Sequence, residues 1–175
     1  MSTASREYCG TRLRSWSITY SSLNQRWIST GSLFSNWDRD WDFPRSPFPS
    51  FSSSRIVASE QTLGLPLLQR NVEVNRANVE TLVLDWADPS SSSISSTHFD
   101  VILGADLVYK EEAFEPLINT IEALATLDTV IYFASRIRYP KDRKFYRNLA
   151  ARGFRVNRLL YDKETDVYVY KMQRE

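Results

Sequence analysis

The stretch Phe99-Asp100-Val101-Ile102-Leu103-Gly104-Ala105-Asp106-Leu107-Val108-Tyr109 decides how this chain is read. Phe99 to Leu103 is a short apolar strand that ends at Gly104. Behind it, Glu111 to Leu127 carries Phe114, Leu117, Ile118, Ile121, Leu124 and Ala125 as one stripe at helical spacing. Glu111 and Glu112 suit the positive end of that helix dipole. A strand, a turn bearing Asp106 and Tyr109, and an amphipathic helix form the repeating unit of open α/β sheets.

The same alternation extends outward from this unit. Upstream, Ile56-Val57-Ala58 is a short strand, Leu63 to Arg76 a helix with Leu65, Leu68 and Val72 on one face, and Val79 to Leu84 a strand. Asp88 to Thr97, rich in serine, is a loop. Downstream, Thr129 to Ala134 reads as a buried strand, and Lys141 to Ala151 as a basic helix stopped by Gly153. Phe154 to Leu160 and Asp166 to Met172 are two last strands, close enough to form an antiparallel pair. The pattern predicts a mostly parallel sheet with helices on both faces, and therefore an α/β fold. It does not by itself name a reaction.

Residues 1–55 break this regularity. They hold fourteen serines and four of the five tryptophans, Trp16, Trp27, Trp37 and Trp41. Their apolar residues keep neither a helical nor a strand period for long, and Pro44, Pro47 and Pro49 fall among serines. An irregular segment is expected there, beside a domain at 56–175.

Composition narrows the function classes. A chain of 175 residues, 42% hydrophobic and 25% charged, has the make-up of one soluble globular domain. The net charge of +1 provides no general field for nucleic acid. Cys9 and His98 are the sole residues of their types, which excludes a disulfide framework and a Cys/His zinc cluster; no metal site is expected. No apolar run is long enough to span a bilayer, and the amino terminus has no signal-peptide core. A cytoplasmic or nuclear monomer, with no membrane and no nucleic-acid partner, is the expectation.

In open α/β sheets, ligands sit outside the carboxyl ends of the strands, and three such ends carry suggestive residues. Glu60, after Ile56-Val57-Ala58, is placed to accept from ribose hydroxyls; taken alone it reads better as a solvated acid at a helix start. Asp85 and Trp86, after Val79–Leu84, suit an adenine amino group and ring, or equally a tryptophan capping the sheet edge. At the third end, Gly104 and Ala105 permit close approach of a cofactor, with Asp106 and Tyr109 projecting into the cleft. The other reading is a glycine turn with Asp106 as a helix cap.

Together these features resemble methyltransferase family 16. The 99–109 stretch is similar to the family's signature, an Asp-x-x-Tyr motif after strand four, met here by Asp106 and Tyr109. Arg136-Ile137-Arg138-Tyr139 and Tyr161-Asp162-Lys163-Glu164-Thr165-Asp166-Val167 resemble the branch that methylates a lysine of DnaK-type heat-shock chaperones. The resemblance runs from about residue 56 to the end. It implies a Rossmann-like seven-strand sheet and a protein-lysine N-methyltransferase that uses S-adenosyl-L-methionine. It also implies site roles: Glu60 for the ribose, Asp85 and Trp86 for the adenine, Ala105 lining the cofactor cleft, and Asp106 and Tyr109 placing the lysine.

One departure is large. The family has a strand and then a glycine-rich loop ahead of the matching region. This chain has five glycines, none in a Gly-x-Gly pair, so strand one and the loop are expected to be missing and the sheet incomplete. Codons for Leu33 to Pro44, read two bases out of frame, accommodate V-L-E-L-G-S-G-L-G-L-P. Codons for Cys9 to Trp16 accommodate W-D-A-A-A-V-L, similar to the family's opening motif. The first fifty or so residues therefore read as a frameshifted coding sequence, and the chain as written is expected to bind cofactor poorly. A catalytically inactive, protein-binding relative is the alternative. A nucleic-acid methyltransferase has only the basic cluster Arg136, Arg138, Lys141, Arg143, Lys144 and Arg147 in its favour, and a solvated helix face accounts for that.

Overall fold

The computed structural model describes residues 26–30 (as backbone), 55–94 and 97–175. These form a seven-stranded sheet of order β3-β2-β1-β4-β5-β7-β6. In chain order the elements are β1 (Arg26–Thr30), β2 (Arg55–Glu60), α1 (Leu65–Val74), β3 (Glu80–Val83), β4 (Val101–Ala105), α2 (Phe114–Leu124), β5 (Val130–Ser135), α3 (Asp142–Ala151), β6 (Phe154–Asp162) and β7 (Val167–Arg174). Strands β3, β2, β1, β4 and β5 run parallel, and β7 is antiparallel to both β5 and β6. The α/β reading, the final antiparallel pair and the three helices stand, with helix ends shifted inward by up to three residues and the end of α3 at Ala151 unshifted.

The central strand is the correction. Arg26–Thr30 pairs in parallel with β2 on one side and β4 on the other, with Ile28 opposite Val57 and Ile102. The sheet has seven strands, and its middle position is filled. Trp27, Ile28 and Thr30 are strand-favouring residue types, but a five-residue strand inside a serine-rich segment shows too little periodicity to read. The other residues read as irregular, and Trp37 to Pro44 in place of the glycine loop, lie outside the described residues.

Neighbouring residues of a strand point to opposite faces, and β2 shows what each face receives. Val57 joins the main core, where Phe114, Leu117, Ile118, Ile121 and Leu124 of α2 meet Phe145 and Leu149 of α3 over Ile102, Ile131 and Phe133. Ala58 faces the other way, toward Leu68 of α1. The expected stripe of α2 is the stripe that is buried. Phe145 stacks on Phe133 at 5.9 Å and meets the edge of Phe114 at 5.6 Å. Gly153, at φ +83°, takes the left-handed conformation that ends α3 and turns the chain into β6.

Candidate active site

Five parallel strands bring five carboxyl ends to one edge of the sheet. The direction in which the chain moves across the sheet reverses around β1, with β2 to one side and β4 to the other. A crevice for ligands opens at such a point. The register sets the level of each residue along this edge. Thr30 lies opposite both Ser59 and Gly104, so Glu60 and Ala105 are each one step further out, flanking β1 at the same height. Two strand spacings separate them, about 10 Å. Glu60, Asp85-Trp86, Ala105 and Asp106 therefore share the edge that the strand pattern assigns to them.

Each residue has its own setting there. The Glu60 carboxylate folds back along the start of the next loop, where its Oε1 accepts from the Gln61 N–H at 2.8 Å. Gly64 makes room for it, since a Cβ at that position would lie 2.5 Å from the Glu60 Cγ. Asp85 accepts the Ala87 N–H at 2.9 Å and so shapes the turn after β3. Trp86 is half-buried and packs against the main core, the structural role that competed with adenine stacking in the sequence. Ala105 ends β4, half-buried. Gly104 serves the core: an added Cβ would meet the Phe133 ring at 2.6 Å and Leu107 at 2.8 Å. Its smallness answers to Phe133 and Leu107.

Asp106 caps no helix. The helical segment begins at Glu111, with Lys110 before it making no side-chain cap, and α2 follows Ala113 in the same way. Asp106 instead sits at φ +53°, a left-handed conformation that aspartate tolerates better than most residues. Its N–H donates to the Ala134 carbonyl at 2.8 Å, so the β4–β5 ladder continues one residue past the strand. That bend projects its half-exposed carboxylate from the strand edge. Tyr109, 50% exposed, follows three residues on, with the Lys110 ammonium 5.8 Å from its ring centre.

The sequence did not reveal what stands opposite. Arg138, in the loop after β5, places Nη2 3.3 Å from each Asp106 carboxylate oxygen. Asp142, buried at the start of α3, accepts the backbone N–H groups of Arg138 and Tyr139 through Oδ2, at 2.8 and 2.9 Å. A carboxylate four residues after an arginine, at the head of a predicted helix, was the available signal. Behind this loop, Ser135 and the Tyr146 hydroxyl share a buried hydrogen bond. Burial holds the Tyr146 phenol far above the usual tyrosine range, with the Ser135 bond opposing.

Of the basic cluster, Lys144 bonds Glu111 at 2.6 Å and holds the Glu111 carboxyl below its ordinary range, first by that bond and then by its charge. The Lys141 ammonium lies over the Tyr139 ring. Among the described residues no group of three or more His, Cys, Asp and Glu side chains could hold a metal ion, and no helix is long and apolar enough to cross a membrane.

Residues 51–152, more than half the chain, match the family model described as lysine methyltransferase. The chain belongs to the lysine methyltransferase family. Within reach of this family, it is 35% identical over 126 residues to protein N-lysine methyltransferase METTL21A of Mus musculus, covering 69% of this chain and 57% of that protein. It is 28% identical over 122 residues to EEF1A lysine methyltransferase 3 of Mus musculus, covering 66% of this chain and 51% of the relative. The chain thus spans little more than half the length of these relatives. In fold it is similar to Aeropyrum pernix fibrillarin, solved in complex with natively bound S-adenosyl-L-methionine. The TM-score is 0.56 at 12% identity, over 86% of this chain and 66% of that one. This likeness carries the class I methyltransferase sheet and nothing finer.

Proposed function

We propose that this chain carries the substrate-placing part of an S-adenosyl-L-methionine-dependent protein-lysine N-methyltransferase. The observation that carries the reading is Asp106. Its position after β4, its left-handed bend and the family match support this reading, with Tyr109 in the same loop. The cofactor supplies an electrophilic sulfonium methyl group. The residues at the nucleoside end suit it: Glu60 accepts from the ribose hydroxyls, Asp85 takes the adenine amino group through the oxygen that Ala87 leaves free, the uncovered part of the half-buried Trp86 meets the adenine ring, and Ala105 leaves the cleft open. Asp106 orients the lysine amine as a hydrogen-bond acceptor. The Tyr109 ring attracts the cationic end of the lysine as it arrives, before the amine gives up its proton. Methyl transfer needs a neutral amine held in line and shielded from water.

The other end of the cofactor fits this sequence poorly. Its charged amino-acid group needs backbone N–H groups presented by a tight glycine loop, and the chain has no Gly-x-Gly pair. Asp38, Asp40 and Asp42 stand in the region that the shifted codons would make glycine-rich. The chain as written binds cofactor weakly, and a frameshift in residues 1–55 is the cause. The same feature favours a second reading, a methyltransferase-like module that binds protein without turning over.

The substrate is a DnaK-type heat-shock chaperone, on the resemblance of Arg136–Tyr139 and Tyr161–Val167. EEF1A, from the name of the EEF1A lysine methyltransferase relative, is the competing substrate. The cytoplasm and a monomeric state go with this reading. The test incubates the chain, and a version rebuilt from the shifted codons with an intact cofactor loop, with each protein under saturating excess of cofactor, followed by mass spectrometry of lysines. Methyl-lysine in the chaperone, lost at least about a hundredfold in Asp106→Ala, is the expected result. No methyl-lysine in either protein, or undiminished methylation by Asp106→Ala, contradicts the reading.

A further inference from the structure

A line of contacts runs from the head of α3 to the Asp106 edge. Asp142 is 1% exposed, and its Oδ2 gathers the N–H groups of Arg138 and Tyr139. Arg138 then reaches across to β4, with Nη2 3.3 Å from both oxygens of Asp106. The Oδ1 of Asp142 is buried with no hydrogen-bond partner. Burying a carboxylate this way is costly, and a fully apolar residue would avoid the cost. What Asp142 secures in return is the path of the loop that carries Arg138.

That path matters for a reaction at a lysine amine. A bare carboxylate beside a lysine stabilises the ammonium form, which has no lone pair to attack with. A carboxylate with a guanidinium already beside it keeps its hydrogen-bonding lone pairs and loses most of its net field. The other charged and titratable groups on the two loops are placed differently. Lys110 lies over Tyr109 and Lys141 over Tyr139, each 5.6–5.8 Å from a ring centre, and Arg136 follows β5 directly. Among the described residues, Arg138 is the cation in salt-bridge contact with Asp106.

We propose that Arg138, anchored by Asp142, is a positioning residue that presents Asp106 to the incoming lysine as a charge-balanced acceptor. This rests on the reading of Asp106 given above. It implies that Arg138 governs the pH at which the bound lysine becomes a nucleophile.

The test uses the full chain and four variants: Arg138→Gln, Arg138→Lys, Asp142→Ala and Asp142→Asn. Amide hydrogen exchange reads the anchor. Asp142→Ala speeds exchange at Arg138 and Tyr139 by about tenfold or more, with the α2 amides unchanged, and Asp142→Asn, which keeps one acceptor, restores most of the protection. Methyl transfer at saturating cofactor reads the charge. Arg138→Gln moves the acid limb of kcat/KM up by about one pH unit, Asp142→Ala moves it in the same direction, and Arg138→Lys leaves it near the parent. A merely structural role lowers the rate without moving the limb. An unmoved limb in Arg138→Gln, or unchanged exchange at 138 and 139 in Asp142→Ala, overturns the inference. No turnover by the parent chain overturns the reading of Asp106 and the charge-balancing role with it, and the exchange result still decides the anchor separately.

Discussion

On one face of the sheet, α2 and α3 bury an interlocked set of aromatic and aliphatic side chains, with Ile118, Ile131, Phe145 and Leu149 fully inside. On the other, α1 rests on Ala58 through Leu68, and Leu67 and Val74 of the same helix are 64% and 73% exposed. The site divides along the same line. Asp106, Tyr109 and Arg138 stand on loops that lead into α2 and α3. Glu60 ends β2, just before the loop that leads into α1. The residues proposed to place the lysine are braced by the main core, and Glu60, proposed for the ribose, has far less beneath it.

That contrast has measurable consequences. Phe145→Ala removes a ring touching Phe114, Phe133 and Tyr146 and lowers stability by about 3–5 kcal/mol in urea unfolding; Leu68→Ala, at the edge of a small cluster, costs about 2. Equal losses would erase the distinction between the two faces. In a chain rebuilt from the shifted codons, with its glycine loop intact, Glu60→Ala weakens S-adenosyl-L-methionine binding by about ten- to a hundredfold in calorimetry, the value of hydrogen bonds to a charged group, and leaves the melting temperature close to that of its parent. A fall in melting temperature without a fall in affinity would make Glu60 a structural acid. Gly104→Ala pushes the Phe133 ring and destabilises by about 1–3 kcal/mol, without touching cofactor affinity in the same rebuilt chain. A loss of affinity instead would return Gly104 to the cleft lining.

The smallest effect is alkaline. Burial raises the Tyr146 phenol above its ordinary value of 10.0, so the stability gained by keeping it neutral is complete below that pH. It is lost as the pH rises further, because the unfolded chain releases the proton that the folded one retains. Unfolding measured at about pH 9 and about pH 11 shows this loss, and Tyr146→Phe reduces it. The same slope in both proteins would mean that other groups cause it.

The braced half was also the legible half. The α2 stripe, the Gly153 stop and the Asp106–Tyr109 turn are local patterns, and a buried face forces its period onto the sequence. β1 escaped because Arg26–Thr30 is too short to show a period, and because its partners, β2 and β4, begin 29 and 75 residues after it. Asp142 escaped because its function lies in two backbone N–H groups, which no side-chain pattern reports. The Arg138–Asp106 pair joins loops 32 residues apart in sequence. Gly104 was assigned to the cofactor because a small residue at a strand end looks the same whether a ligand or the Phe133 ring fills the space.

The central claim is that the lysine-placing half is present in this chain and the cofactor loop is impaired by the sequence of residues 1–55. Calorimetric titration of S-adenosyl-L-methionine tests it most directly, on this chain beside one rebuilt from the shifted codons. The account predicts micromolar-range binding, about −8 kcal/mol, by the rebuilt chain and binding at least about a hundredfold weaker by the chain as written. Equal, micromolar binding by both would contradict it.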